Sequence, residues 1–206
     1  LNQLLAHVPV VVDGSPVRVV PWSLTGEPGA LLVVLAEEAA WLWERLKECG
    51  DAHGLAPVGW EALDVLRLEA GIPWYGIDMD ETNLLPETGL QERAVSDTKG
   101  CYVGQEVIAR LQTYGSVSRR LMGLVCHGSV VPQPGDALRK DGESVGQVTS
   151  ACLSPAVKAP IALGYVKRPV YEAGTTVEVL RGSQAIPATL VQPPFVRHQT
   201  SDIRQP

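Results

Sequence analysis

The sequence has no long apolar segment and no basic stretch followed by an apolar core at its N-terminus. Its longest apolar run, residues 30–36, is far shorter than the ~20 residues that a membrane-spanning helix needs. A secretory signal is equally absent from the first residues. These absences argue against a membrane protein. Since residue 1 is leucine, we expect that an N-terminal part is missing or was removed.

Cysteine and histidine are few and scattered. No C-x-x-C pair occurs, which argues against a zinc knuckle or a local iron–sulfur site. The low cysteine density also argues against a disulfide framework, so we expect free thiols in a reducing compartment. The four histidines have no ligand spacing, and no metal is predicted. The cysteines are Cys49, Cys101, Cys126 and Cys152.

The sequence has fewer basic than acidic residues: 17 against 23, for a net charge of −6. This balance argues against nucleic-acid binding by the whole surface. One stretch is locally basic and contains two tyrosines. It is compatible with an anionic ligand tail, with RNA phosphates or with an ordinary solvated face. Its residues are Lys99, Tyr102, Arg110, Tyr114, Arg119 and Arg120.

The first half of the chain mixes strands and helices. Apolar runs between glycines and prolines predict three strands, and apolar residues at helical spacing predict two helices. A long irregular connection, residues 73–99, follows; such connections are usually functional or linkers. We therefore expect an α+β domain over residues 1–117. The predicted strands are 9–13, 17–22 and 30–35, and the predicted helices are 37–49 and 59–70.

The second half changes to short strands with turns about every ten residues. Asp141-Gly142 is a two-residue hairpin signal. Six strands with regular turns predict a small antiparallel barrel or sandwich over residues 118–195, before a polar tail, 196–206. The strands are 120–125, 137–140, 144–151, 161–166, 176–180 and 185–191.

Residues 99–106 are the densest candidate for chemistry. A helix is predicted over residues 104–112, which places Cys101 just before a helix N-terminus and two residues from Lys99. Both features favour a thiolate. Gly100 and Gly104 allow a tight turn or a close backbone approach. A reactive thiol and a structural cysteine at a loop-to-helix corner both remain open.

Charged residues at the end of the second predicted helix form another candidate. If Arg67 and Glu69 are buried, their charges need partners. A carboxylate at the end of this helix could accept two hydrogen bonds from the adjacent N–H donors of a flat heterocycle. The residues alone favour a surface ion pair at the helix end. A group of three acids follows closely: Asp78, Asp80 and Glu81. A calcium-binding loop also needs a glycine and a more distant glutamate at fixed positions, and these are absent. The acids therefore predict a solvated acidic turn.

Residues 99–106, K-G-C-Y-V-G-Q-E, resemble the signature of the YgfZ-type folate-binding proteins, relatives of the glycine-cleavage T-protein (aminomethyltransferase). Residues 66–81 (LRLEAGIPWYGIDMDE) resemble a stretch that both groups share. Residues 23–29 resemble their T-G-E-x-G turn, and residues 146–155 (GQVTSACLSP) resemble their G-x-V-T-S strand. The similarity covers roughly residues 17–195.

The resemblance implies a T-protein-like folate-binding α/β domain, its N-terminal part apparently missing, followed by a C-terminal β-barrel. It implies that Glu69 holds the pteridine ring of a tetrahydrofolate, with Arg67 beside it. It implies a functional thiol at Cys101. The surroundings of this thiol are Lys99, Tyr102, Gly104, Gln105 and Glu106. The resemblance leads us to expect that Lys99 takes part in catalysis and that the other four residues bind the cofactor.

The expected function is a folate-binding accessory protein that supports iron–sulfur cluster assembly or repair, including that of tRNA-modifying enzymes. Its partners would be iron–sulfur assembly proteins or client enzymes, in the cytoplasm or the mitochondrial matrix, without membrane or direct nucleic-acid contact. The alternative is a folate-dependent aminomethyl-type transferase. Whether the chain is an enzyme stays open, because the region that carries the T-protein's catalytic aspartate is not in it.

Overall fold

A computed structural model describes residues 6–96, 98–115 and 117–196 of the chain. The chain divides into two compact units, with the boundary between Asp64 and Val65. We call the described residues 6–64 the N-terminal unit and the described residues 65–196 the barrel unit. The predicted polar tail, apart from Val196, lies outside the described residues.

The N-terminal unit begins with a three-stranded antiparallel sheet of order β1-β2-β3. Each predicted strand is present, with bounds shifted by up to two residues. A turn of 3-10 helix, Ala36–Glu38, leads into α1, and a second, Asp51–His53, follows α1. The elements of this unit are β1 (Val8–Val12), β2 (Ser15–Pro21), β3 (Ala30–Val33) and α1 (Ala39–Gly50).

Helix α2 (Trp60–Glu69) includes the boundary between the two units in its sequence. Two residues after its end, Gly71 has a left-handed backbone conformation, with φ +67°. A side chain at Gly71 would also collide with Pro193, since an added Cβ would lie 2.3 Å from that ring. Glycine is thus required here both for its backbone conformation and for space. The turn fixes the direction in which the chain leaves α2.

The connection after α2 is largely irregular, as predicted, but it contains two four-residue helices, α3 (Leu85–Thr88) and α4 (Gln91–Ala94). Elements this short span about one helical turn, so they show no apolar periodicity. Pro86 lies in the first turn of α3, where a missing N–H costs nothing. The predicted helix after residue 104 is α5 (Gln105–Tyr114).

The second half forms a closed antiparallel barrel of order β4-β7-β6-β5-β8-β9. This settles the choice between barrel and sandwich. Asp141 and Gly142 have φ +53° and +83° and join β5 to β6, as the hairpin signal predicted. The strands are β4 (Arg119–Cys126), β5 (Ala137–Lys140), β6 (Glu143–Ser154), β7 (Ala159–Lys167), β8 (Thr176–Arg181) and β9 (Gln184–Val191).

Two apolar clusters hold the barrel unit together, because alternate residues of a strand point to opposite sides of the barrel wall. The larger cluster includes Leu124, Leu138 and Leu190, all fully buried. The smaller one packs Leu68, near the C-terminal end of α2, against Leu121, Ile161 and Leu163 of the barrel strands. The C-terminal end of α2 is thereby fixed to the barrel.

Candidate functional site

The end of helix α2 is buried. Arg67 is fully buried and Glu69 is 6% exposed, because Leu68 between them packs into the smaller apolar cluster. The prediction of a surface ion pair between Arg67 and Glu69 is therefore wrong. Each side chain instead binds partners on other elements.

Asp78 is the carboxylate that faces Arg67. Its Oδ2 accepts hydrogen bonds from Arg67 Nη1 and from the backbone N–H of Trp74, the latter at 3.0 Å. Its Oδ1 accepts from Thr149 Oγ1 at 2.6 Å and from Ser150 Oγ at 2.5 Å. With 2% exposure, Asp78 is no part of a solvated acidic turn, so that prediction is wrong for this residue. The network fastens the 74–83 loop to strand β6.

The prediction of a solvated turn holds for the next two acids, because Asp80 and Glu81 are exposed. The hydroxyl and the backbone N–H of Thr82 both donate to Asp80 Oδ1, and these hydrogen bonds lower the pKa of Asp80. Glu81 accepts from the Tyr75 hydroxyl at 3.0 Å and raises the pKa of Tyr75. Within the described residues, no group of three or more potential ligands could hold a metal ion.

Glu69 binds the far end of strand β6. Its Oε1 accepts hydrogen bonds from Ser154 Oγ at 2.5 Å and from the backbone N–H of Ala156 at 3.2 Å. Its carbonyl oxygen accepts from the backbone N–H groups of Phe195 and Val196, at 2.9 and 3.0 Å. One carboxylate oxygen of Glu69 thus binds the protein itself, and a role in holding a pteridine ring stays a prediction.

Two adjoining cavities of the barrel unit share the side chains of Arg119, Thr149 and Tyr165. One, of about 210 Å³, is lined also by the 76–83 loop, and the other, of about 270 Å³, by Gln147 and Lys167 among others. Tyr165 Oη is buried and has no hydrogen-bond partner among the described residues. Burial raises the pKa of Tyr165 to about 12. A buried hydroxyl without a partner is a place where a polar ligand group can bind.

Arg119 is the cation that both cavities share. Its Nε donates to Glu87 at 3.0 Å, and its guanidinium lies 4.9 Å from the centre of the Tyr165 ring. Its neighbour Arg120 points to the other side of the strand and lies over Tyr171, 5.1 Å from that ring. Because adjacent strand residues face opposite sides, Arg119 and Arg120 do not form one basic patch.

The segment 99–106 is an exposed loop that leads into α5. Cys101 is exposed, and the Lys99 ammonium lies 5.1 Å from the centre of the Tyr102 ring. Gly104 has φ +87° and caps α5, and the Gln105 N–H donates to the Tyr102 carbonyl at 3.3 Å. An added Cβ at Gly104 would meet no described protein atom within 4 Å, so the turn requires this glycine for its positive φ and not for close packing against the protein. Glu106 is exposed in the first turn of α5.

Sequence reasoning named Arg67 and Glu69 but missed their partners. Asp78 was interpreted as a surface residue, and Thr149, Ser150, Ser154 and Tyr165 were not singled out. A signal was present, since the segment 146–155 that contains three of these partners was among those noted for their likeness to one family. No helix in the described residues is long and apolar enough to span a bilayer.

Comparison with known proteins places the chain in a family. Residues 4–99 match the family model "GCVT N-terminal domain", and residues 119–197 match "Glycine cleavage T-protein C-terminal barrel domain". The aminomethyltransferase of Symbiobacterium thermophilum is 39% identical over 190 residues, covering 91% of this chain and 50% of the relative. That of Nostoc is 36% identical over 191 residues, covering 93% and 50%.

A solved structure agrees with these sequence matches. Glycine cleavage system aminomethyltransferase T from Bartonella henselae superposes with a TM-score of 0.79 at 26% identity, covering 95% of this chain and 54% of that one. The chain spans about half the length of the curated relatives it matches. Tetrahydrofolate is the cofactor of this family. The two matched domains and the barrel identify the chain as a member of the T-protein-like family.

Proposed function

We propose that the chain contributes to a folate-dependent one-carbon transferase of the aminomethyl type. The relatives of this chain carry the name aminomethyltransferase, which favours this function over the iron–sulfur role. The observation that carries the proposal within the structure is the pair of cavities around Tyr165, beside a loop that the buried Asp78 network holds in place.

The residues of these cavities fit part of a tetrahydrofolate. The unpartnered Tyr165 hydroxyl can bind a polar ring or amide atom, and the Arg119 guanidinium can bind a carboxylate of the tail. Neither cavity alone, at about 210 and 270 Å³, reaches the roughly 300–1,000 Å³ of typical ligand pockets. We therefore assign to the barrel unit a part of the binding site and not the whole.

Tetrahydrofolate, when bound, supplies the carrier of the one-carbon unit. The residues of this chain would bind and orient it: Tyr165 and Arg119 by direct contact, and Arg67 and Asp78 by fixing the 74–83 loop that borders the cavity. Glu69 is a second candidate for direct contact, through the carboxylate oxygen that does not bind Ser154.

Calorimetric titration of tetrahydrofolate into the 206-residue chain tests this proposal. We expect saturable binding that weakens at least about tenfold, a loss of about 1.4 kcal/mol, in Tyr165→Phe and in Arg119→Gln. Tyr75→Phe is the matched control, because its hydroxyl is exposed and outside the shared cavity residues. Equal binding by wild type and both cavity variants would contradict the proposal, as would no binding by the wild type.

Two further variants separate the roles of Glu69. Glu69→Gln keeps an acceptor for Ser154, and Ser154→Ala removes the donor while it leaves the carboxylate. If Glu69 holds the pteridine ring, Glu69→Gln weakens folate binding and Ser154→Ala does not. If both lower only the free energy of unfolding, Glu69 is a structural residue of the α2–β6 junction.

A second candidate function, the YgfZ-type accessory role in iron–sulfur assembly or repair, rests on the K-G-C-Y-V-G-Q-E segment. Its thiol, Cys101, is exposed and accessible to a partner protein. One cysteine cannot hold a cluster by itself, so an assembly protein or client enzyme would supply the other ligands. In a strain that lacks this protein, we expect Cys101→Ala to lose rescue, and Cys49→Ala, at another exposed cysteine, to keep it. Full rescue by Cys101→Ala would contradict this role.

A further inference from the structure

The two adjoining cavities of the barrel unit differ in charge. The cavity of about 210 Å³ is lined by the carboxylates of Asp78 and Asp80 as well as by Arg119; we call it the loop cavity. The cavity of about 270 Å³ is lined by Arg119 and Lys167, and no carboxylate is among its described lining residues; we call it the lysine cavity. The combined space therefore has carboxylates at one end and only cations at the other.

The strand register brings the two cations of the lysine cavity together. Arg119 of β4 pairs directly with Lys167 of β7, so their side chains lie on the same side of the barrel wall. Tyr165 lies on that side too, because alternate residues of a strand share a face. Like charges directly opposite each other destabilise an antiparallel pair. An anion bound between the two cations would remove this repulsion.

Lys167 has no counter-charge among the described residues. Glu87 accepts a hydrogen bond from Arg119 Nε at 3.0 Å and offsets the charge of that guanidinium. The Lys167 ammonium donates to a neutral acceptor, the Ser144 carbonyl, at 3.3 Å, and belongs to no ion pair of the described chain. An ammonium has three N–H donors and a guanidinium has five, so both side chains keep donors for a ligand.

The spacing of these cations suits a ligand that carries two carboxylates on a short chain. Directly opposite residues of an antiparallel pair have Cβ atoms about 4.5–5.5 Å apart, so Arg119 and Lys167 can each reach one carboxylate of the same group. Tetrahydrofolate ends in a glutamate, which has an α- and a γ-carboxylate, whereas its ring has no negative charge. Asp80 would repel these carboxylates in the loop cavity, which favours the lysine cavity for them.

We propose that Lys167 determines the specificity of this site for ligands with a carboxylate tail: with Arg119, it binds the terminal glutamate of tetrahydrofolate in the lysine cavity, and the ring lies toward the 76–83 loop. The inference rests on the proposed folate binding, to which it adds the orientation of the ligand and a further binding residue. Since Lys167 is exposed, its contribution decreases as salt concentration rises.

Calorimetric titration with two matched ligands tests the proposal. Tetrahydrofolate and its α,γ-diamide, which keeps the size of the tail and lacks both carboxylates, are titrated into the 206-residue chain at low ionic strength. Lys167→Gln should weaken the binding of tetrahydrofolate about fivefold. It should change the binding of the diamide less than about twofold, because the lost contact is with the carboxylates. Lys167→Arg keeps the charge and should bind tetrahydrofolate like the wild type.

Lys158→Gln is the matched control, because it removes the same charge at an exposed lysine of the barrel unit that lines neither cavity. It should bind both ligands like the wild type. Equal losses for the two ligands in Lys167→Gln would overturn the proposal, and so would an equally large loss of tetrahydrofolate binding in Lys158→Gln.

The failure of this inference can be told apart from the failure of the proposed function. If Tyr165→Phe and Arg119→Gln weaken the binding of tetrahydrofolate and Lys167→Gln does not, only the assignment of Lys167 is overturned. If the wild-type chain binds no tetrahydrofolate, both are overturned.

Discussion

The two units of the chain bury their apolar residues to very different extents. Among the described residues 6–64, only Val17 and Leu42 are buried apolar side chains, whereas the barrel unit contains two buried clusters, on the two sides of the barrel wall. Both units have strands of similar composition. The difference is topological: a closed barrel has no edge and encloses one face, while a three-stranded sheet has two edges and needs another layer to cover an apolar face.

This comparison shows that an apolar pattern specifies which face is to be buried but not what buries it. In α1, Leu42 is 5% exposed and Trp43 is 52% exposed, although Ala39, Leu42, Trp43 and Leu46 have the spacing of one apolar helix face. In the barrel the same kind of pattern finds its partner within the unit. The N-terminal unit is therefore expected to gain less stability from buried apolar side chains than the barrel unit.

The largest effect is expected in the barrel unit, from Asp78→Ala. The substitution leaves Arg67 buried without the carboxylate that it contacts, and breaking a buried ion pair costs about 3–5 kcal/mol. The barrel unit should therefore unfold at much lower urea concentration, as followed by hydrogen exchange of the β6 amides. Asp80→Ala, at an exposed carboxylate, should change the free energy of unfolding by less than about 0.5 kcal/mol. Similar midpoints for the two variants would show that the Asp78 network contributes little.

A matched pair of leucines measures the comparison directly. Leu190→Ala removes a fully buried side chain from the barrel interior and should cost about 2–5 kcal/mol. Leu31→Ala, at a 45% exposed side chain of strand β3, should cost less than about 0.5 kcal/mol. Equal losses at both positions in the free chain would show that the N-terminal unit has a core of its own.

Much of the fold could be predicted from the sequence, because its signals are local. Apolar runs between glycines and prolines and regularly spaced turns located the strands, and Asp141-Gly142 located a hairpin through its demand for positive φ. The helices α3 and α4 could not be predicted, since four residues make only about one helical turn and cannot show a repeating apolar pattern. Closure of the barrel depends on the pairing of β4 with β9, which are far apart in sequence.

The candidate site was predictable only in part. Arg67 and Glu69 could be named because charges at the end of an apolar helix need partners. Their burial could not be inferred, because it depends on the contact of Leu68 with two barrel strands distant in the sequence. Asp78 was misjudged for the same reason: its partners Thr149 and Ser150 lie 71 and 72 residues away. Long-range contacts, not residue types, decide which acid is buried.

The smallest expected effect concerns pH and compares two tyrosines of the barrel unit. Burial raises the pKa of Tyr165 to about 12, above the value of ~10 in an unfolded chain. Tyr75 is exposed, and its pKa is raised by the hydrogen bond to Glu81 instead. Phenolate absorbance should therefore show one late-titrating tyrosine near pH 12 that disappears in Tyr165→Phe.

The sign of the stability change follows from proton binding. Between about pH 10 and 12 the unfolded chain has released the Tyr165 proton while the folded chain still holds it, so stability falls as pH rises. Tyr165→Phe should flatten this fall, and Tyr75→Phe should alter it less because its ring is exposed. Cys126, whose pKa burial raises to about 11, contributes a fall of the same sign in every variant, so the difference between wild type and Tyr165→Phe isolates the tyrosine. An unchanged fall in Tyr165→Phe would mean that the hydroxyl is accessible to water, and the cavity beside Arg119 would then lose the buried, unpartnered group on which ligand binding there depends.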